Sequence, residues 1–276
     1  MKAAAWMMGT LAAFCILAVA GRELSSELTT AQIQFWRALV SGAVIVAALS
    51  YYGWHHIRTR RLHLHVMRST IHFGAQFGWF YGVGLIPLSE VFALEFTTPL
   101  WLALFAALFL RERITMLRAA AILLGFAGVL VITRPGLGAV QPASLVVLGA
   151  ALGYAIGYLM MKNLTRTDSP LAILFYMSAV QLVLSLGLVV GDWSWPHGVA
   201  WLWTVLVGLA SLCAHYCMAR ALVHADASLV APLEYLRLPL IAVLGFLIYA
   251  EPFSPWVLGG AALVIGANVL NLRAAR

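Results

Sequence analysis

Ten apolar stretches with short polar connections leave this chain little choice of fold. They fall at about 4–21, 31–51, 67–85, 88–110, 115–133, 144–162, 169–190, 198–221, 227–249 and 255–272. Roughly twenty residues of helix cover the hydrocarbon core of a bilayer. Inside lipid every backbone N–H and C=O must be satisfied within the protein, which leaves helices or closed barrels. Period-two alternation is absent, so the segments are helices. Composition agrees: 63% of residues are hydrophobic and 10% are charged, whereas a soluble domain has about 25% charged residues. The mean hydropathy is +0.94. The expected fold is an all-α membrane protein of ten transmembrane helices, with no separate extramembranous domain. Short connections make neighbouring helices antiparallel. The first stretch has a rival reading: Lys2, an apolar run and Ala18-Val19-Ala20 before Gly21 resemble a cleavable signal peptide.

The chain also repeats itself. Residues 88–133 and 227–272 align at a shift of 139 positions. Ser89 falls on Ser228, Glu95 on Glu234 and Glu112 on Glu251; Leu94, Ala103 and Leu108 meet Leu233, Ala242 and Leu247. Pro99 and Pro239 miss by one. Each copy has an apolar segment with one acidic residue, a polar turn with a second, and a Gly/Ala-rich segment. The repeat speaks against cleavage of the first segment, which pairs the region of Gly9 with that of Gly149. The expected division is 1–137 and 138–276, two five-helix halves of one membrane domain. Halves with an odd number of spans must insert with opposite topology, related by a pseudo-two-fold axis in the membrane plane.

Basic residues set the orientation. With the N-terminus cytoplasmic, the inside holds Lys2, Arg58, Arg60, Arg61, Arg68, Arg111, Arg113, Arg118, Lys162, Arg166, Arg220, Arg273 and Arg276; the outside holds Arg22 and Arg134. This bias places both termini in the cytoplasm, and the expected location is a bacterial inner membrane. The cluster from His55 to Arg68 reads as a basic cytoplasmic loop facing anionic lipid. The net charge of +7 is therefore a topology signal, and no nucleic-acid partner is expected. Cys15, Cys213 and Cys217 all lie in apolar runs and read as packing residues.

Charge within a span costs several kcal/mol unless it is paired or wetted, so each instance is a functional candidate. Arg37, Glu95, Glu234 and Arg237 are the clear cases. Arg37 and Glu95 sit at similar depth, about 10 Å in, and are placed for an ion pair between helices. Glu234 and Arg237 are spaced i, i+3 on one helix. Glu95 and Glu234 are candidate binders of a substrate amine or carriers of a coupling proton. Arg37 and Arg237 read as members of structural ion pairs.

Polar and aromatic residues supply a second set. The same shift places Gln76 on His215, matching positions for a cavity wall. Trp79, Trp101, Tyr154, Tyr158 and Tyr235 complete the candidate substrate-binding residues. Such rings can stack on an aromatic substrate or hold a cation. Ordinary helix packing competes with this role at each position. Trp193 and Trp195 read as an interfacial belt. Gly125, Gly128, Gly259, Gly260 and Gly266 suit close helix approach, so segments five and ten are packing or dimer helices.

The chain resembles the EamA-type members of the drug/metabolite transporter superfamily over nearly its whole length. The resemblance is carried by Phe35-Trp36-Arg37 and by Pro99 and Glu112 in LEFTTPLWLALFAALFLRER. In the second copy it is carried by Pro232, Glu234, Pro239 and Glu251. It implies a secondary transporter with alternating access and a central cavity lined by segments one, three, four, six, eight and nine. It also implies a small-metabolite substrate, best matched by an aromatic or neutral amino-acid exporter; an efflux carrier for lipophilic cations, drugs or another metabolite is the alternative. Glu95 and Glu234 stand where many such proteins carry apolar residues, which points to a local role. The motifs H-E-x-x-H, G-x-S-x-G and G-x-x-x-x-G-K are missing, so neither an enzyme nor an ATP-driven pump is expected, and no cofactor or metal. A non-transporting receptor or scaffold needs no wet midplane cavity, which separates it from a carrier.

Overall fold

The computed structural model describes residues 2–110, 115–133, 141–224 and 236–274. Its order is α1 (Lys2–Leu24), α2 (Thr30–Tyr52), a 3₁₀ turn (Trp54–Ile57), α3 (Leu62–Leu85), α4 (Leu88–Glu95), α5 (Thr98–Leu110), α6 (Met116–Thr133), α7 (Pro142–Leu164), α8 (Pro170–Val189), α9 (Ala200–His224), α10 (Arg237–Tyr249) and α11 (Pro255–Ala274). No strand occurs among the described residues. Six of these helices are long and apolar enough by themselves to cross a membrane: α1, α2, α7, α8, α9 and α11. The expected third segment misses that standard because α3 carries His63, His65, Arg68, His72 and Gln76.

The expected fourth segment is not one helix. It breaks between α4 and α5 at Phe96 and Thr97. Pro99 is the cause: its ring excludes an α-helical bond to the carbonyl of residue 95. The freed groups are satisfied locally. Thr97 Oγ1 donates to Leu94 O at 2.7 Å, Thr98 Oγ1 to Glu95 O at 2.7 Å, and Asn268 Nδ2 of α11 to Phe96 O at 2.7 Å. Irregular backbone at membrane depth survives only with such partners.

Helix ends follow local rules. Thr29 and Gln32 form a capping box at α2, and Ser169 caps α8 ahead of Pro170. In the bundle α1 runs along α9, α3 along α7, α2 along α8 and α6 along α11. The last contact rests on glycine. A Cβ on Gly128 would lie 2.7 Å from Gly260 O, and one on Gly260 would lie 2.6 Å from Gly128 O. Gly125 is covered by Leu100 of α5, whereas Gly259 and Gly266 would meet nothing within 4 Å among the described residues, so they are not approach points there.

The two ends of the bundle are stapled differently. At one end the 53–61 connection binds the turn between α7 and α8. Thr59 Oγ1 donates to Asp168 Oδ2 at 2.8 Å, His65 Nε2 lies 2.6 Å from the same oxygen, and Arg61 Nη2 donates to Asn163 Oδ1 at 2.9 Å. His65 and Arg68 are thus buried helix residues, not part of a solvated loop. Burial raises the Asp168 pKa, but hydrogen bonds from His65, Thr59 and Thr167 outweigh it and hold the carboxyl below its ordinary value. At the opposite end Arg22 pairs with Glu251 at 3.2 Å and donates to the carbonyls of Val83 and Ile86. There Leu88 N donates to Glu251 Oε2 at 2.9 Å, and Tyr249 Oη donates to Glu23 Oε1 at 2.8 Å. Phe35, Trp36, Trp193, Trp195 and Trp201 gather in one aromatic cluster, so Trp193 and Trp195 pack on α2 as well as lining the surface.

Two outcomes follow. Gly128→Ala should destabilise the protein by about 1–3 kcal/mol through overpacking, while Gly259→Ala should be neutral or slightly stabilising; thermal unfolding in detergent reads both. Asp168 has a depressed folded-state pKa, so its contribution is full above the unfolded value of about 3.9 and is lost as pH falls through the folded value. Asp168→Asn should therefore lower the unfolding temperature at neutral pH, with the gap to the unsubstituted protein closing below about pH 4.

Candidate functional site

A cavity of about 480 Å³ occupies the centre of the bundle. Its walls come from α1, α3, the α4–α5 break, α7, α9 and the start of α10. On α3 the residues facing it are Arg68, His72, Gln76 and Trp79, spaced i, i+4, i+8 and i+11. That spacing is one face of a helix. Tyr154 and Tyr158 on α7 face it, as do Ser211 and His215 on α9. Phe14, Phe80 and Phe96 add apolar wall.

Glu95 sits where the helix breaks. Its Oε2 accepts from Trp79 Nε1 at 2.8 Å and its Oε1 lies 3.1 Å from Arg237 Nη2. Arg237 is 4% exposed. Its guanidinium carbon lies 4.2 Å from the ring centroid of Phe14 and 5.0 Å from those of Phe92 and Phe96. The cation is thus held by a carboxylate on one side and ring faces around it. This geometry joins α3, α4 and α10 through one acidic group.

Arg37 has a different environment from the expected one. It does not pair with Glu95. It is buried behind the cavity wall, where Nε donates to Gln34 Oε1 at 2.9 Å, Nη1 to Ser211 Oγ at 3.3 Å and Nη2 to Gln181 Oε1 at 2.5 Å. Among the described residues all its partners are neutral. The reason is position: α2 packs on α8 and α9, and Arg37 points into that seam while Glu95 faces Trp79 and Arg237. The oxygen of Gln181 is engaged by Arg37, so its amide nitrogen faces His72 Nδ1 at 3.1 Å. That contact makes Nδ1 the acceptor and assigns the ring proton to Nε2. Arg37 thereby orients a wall residue without lining the cavity itself.

Six of the nine residues expected at the site line the cavity: Gln76, Trp79, Glu95, Tyr154, Tyr158 and His215. Trp101 does not. It packs edge-on against Phe126 of α6 with centroids 4.8 Å apart, because the break at Thr97 starts a new helix whose Trp101 face meets α6. Glu234 and Tyr235, with the expected Glu234–Arg237 pair, lie outside the described residues. Arg68 and His72 were not singled out by the sequence, although their i, i+4, i+8 spacing to Gln76 was available as a signal. Among the described residues, Arg68 Nε and Nη1 and Arg237 Nε are buried in the wall without a hydrogen-bond partner, and Gln76 Oε1 is buried beside His72.

Removing one partner of a buried pair strands the other charge, at about 3–5 kcal/mol. Glu95→Gln and Arg237→Met should each lower stability strongly. The double variant should lose less than the sum, with a coupling energy above about 1 kcal/mol in an unfolding cycle.

Comparison with known proteins agrees with this architecture. The model of the EamA-like transporter family matches residues 1–134 and 141–273. A riboflavin transporter of Brucella anthropi is 32% identical over 87% of this chain and 87% of its own length. An S-adenosylmethionine uptake transporter of Rickettsia felis is 26% identical over 96% of this chain and 90% of its own. A pseudopaline exporter of Pseudomonas aeruginosa is 26% identical over 94% and 92%. One solved crystal structure of a protein superposes with a TM-score of 0.69 at 21% identity, covering 99% of this chain and 97% of that one, a likeness of fold. An all-helical integral membrane chain, matched over nearly its whole length by this family, with transporters rather than enzymes as relatives, belongs to the EamA-like transporter family of small-molecule carriers.

Proposed function

We propose that the protein carries a small metabolite with a flat ring across a bacterial inner membrane by alternating access between two inverted five-helix halves. One observation carries this reading: the cavity reaches from the Glu95–Arg237 pair to Arg68, Tyr158 and Met161, while the opposite end is latched by Arg22 and Glu251. With both termini cytoplasmic, this is the inward-open arrangement. The half-and-half division is supported by paired contacts. If segment one corresponds to six and three to eight, then α1 along α9 and α3 along α7 are the same contact seen twice. The two family matches divide the chain at nearly the expected place.

The ring specificity rests on Trp79, Tyr154, Phe14 and Phe96 in the wall. An exporter of plain aromatic or neutral amino acids has no support among the relatives, whose names give S-adenosylmethionine, riboflavin and pseudopaline. S-adenosylmethionine and riboflavin both contain a flat nitrogen heterocycle, which fits the aromatic wall and the amide of Gln76. The lipophilic-cation alternative is weaker. Glu95 is the one carboxylate among the described lining residues, and Arg237 already neutralises it. In this reading Glu95 exchanges partners during the cycle, between Arg237 and either substrate or a proton.

Proteoliposome uptake of labelled riboflavin, S-adenosylmethionine and an amino-acid panel, with and without a pH gradient, tests the proposal. Saturable uptake of a ring-bearing compound is expected, with at least about a tenfold loss in Glu95→Gln. Uptake no greater than in protein-free liposomes for every compound sinks it.

A further inference from the structure

Among the described residues the charges of the cavity leave one cation without a carboxylate counterpart. Among the described lining residues, Arg68, Glu95 and Arg237 are charged, and the last two neutralise each other. Arg68 is only 5% exposed. Its Nη2 points at the sulfur of Met161 at 3.5 Å, a weak acceptor, while Nε and Nη1 are buried with no hydrogen-bond partner among the described residues. A guanidinium keeps its proton, so the charge cannot be shed. Among the described residues no carboxylate repays the desolvation, and Tyr158 offers only a phenol. His72 and His215 are neutral or cationic, never anionic, and Arg37 behind the wall adds a second positive charge held by neutral groups. A bare buried cation with two open nitrogens, aimed into a cavity, is half of a pair whose other half arrives with a ligand.

We infer that Arg68 is an oxyanion-recognising subsite, and that the carried metabolite bears a carboxylate or phosphate which docks there. This rests on reading the cavity as the substrate chamber. A second polar group of the wall, the buried Gln76 side chain, lies eight residues further along α3, about 12 Å along the helix. It accepts an N–H. The substrate is therefore two-ended: an acid at Arg68, and a ring with a hydrogen-bond donor near Gln76 and Trp79. Arg68 fixes which molecules bind, while the Glu95–Arg237 pair lies at the other end of the chamber.

Calorimetric titration of the purified protein in detergent micelles tests this with matched pairs: riboflavin 5′-phosphate against riboflavin, and L-tryptophan against tryptamine. The acidic member of at least one pair should bind about tenfold or more tightly, and Arg68→Gln should bring the ratio to about twofold or less. Which pair responds distinguishes phosphate from carboxylate. Arg68→Gln removes an unpaired buried charge, so the ligand-free variant should unfold no earlier than the unsubstituted protein. Should it fail to fold, Arg68→Lys, which keeps the charge and loses the fork, should still lower the ratio. No acid preference in either pair, or a preference that survives Arg68→Gln and Arg68→Lys, overturns the assignment. Failed uptake in liposomes with an Arg68-dependent ratio in micelles overturns the carrier reading alone; the reverse result overturns the subsite alone.

Discussion

A single carboxylate at a broken helix holds three walls of the cavity together. Glu95 takes the indole N–H of Trp79 on α3 and the guanidinium of Arg237 on α10, and it lies beside the backbone break that Pro99 imposes. Neither charge is stable alone at that depth, because each loses water on burial and regains only what the other returns. The aromatic box of Phe14, Phe92 and Phe96 fixes where the cation can be. The central geometry of the carrier therefore depends on a contact between residues 142 positions apart, and α1 is drawn in through Phe14.

The helices were legible because lipid enforces a simple rule: apolar runs of bilayer length with internal hydrogen bonding. The break at Phe96–Thr97 was less so, since hydropathy ignores backbone; Pro99 was the available signal. Burial of intramembrane charges was legible, but their partners were not. Arg37 and Glu95 share a depth, and depth alone cannot tell which faces two helices present to each other. The sequence reads Arg68 as part of a loop because it follows three arginines and four histidines, yet α3 starts at Leu62 and turns it inward. Trp101 failed for the opposite reason: a mid-span aromatic is equally at home in a seam, and Phe126 supplies one.

The seam between α6 and α11 stands apart from this chemistry. Gly128 and Gly260 bring two backbones into contact with no side chain between them. In lipid, dispersion between closely fitted surfaces does the work that expulsion of water does elsewhere. The α4–α5 break leans on this pair of helices through Asn268 and Leu100. A close-packed seam beside a broken helix gives that part of the cavity wall a fixed support.

The latch at the Arg22–Glu251 end is written half in side chains and half in backbone. Arg22 grips the carbonyls of Val83 and Ile86, and Glu251 takes the amide of Leu88. Those acceptors and that donor exist whatever residues occupy 83, 86 and 88, provided 88 is not proline. Sequence drift in the α3–α4 turn cannot erase the lock, so its strength is concentrated in two side chains, Arg22 and Glu251. A population of variants would thus keep this end nearly constant while the turn beside it diverged freely in shape and polarity.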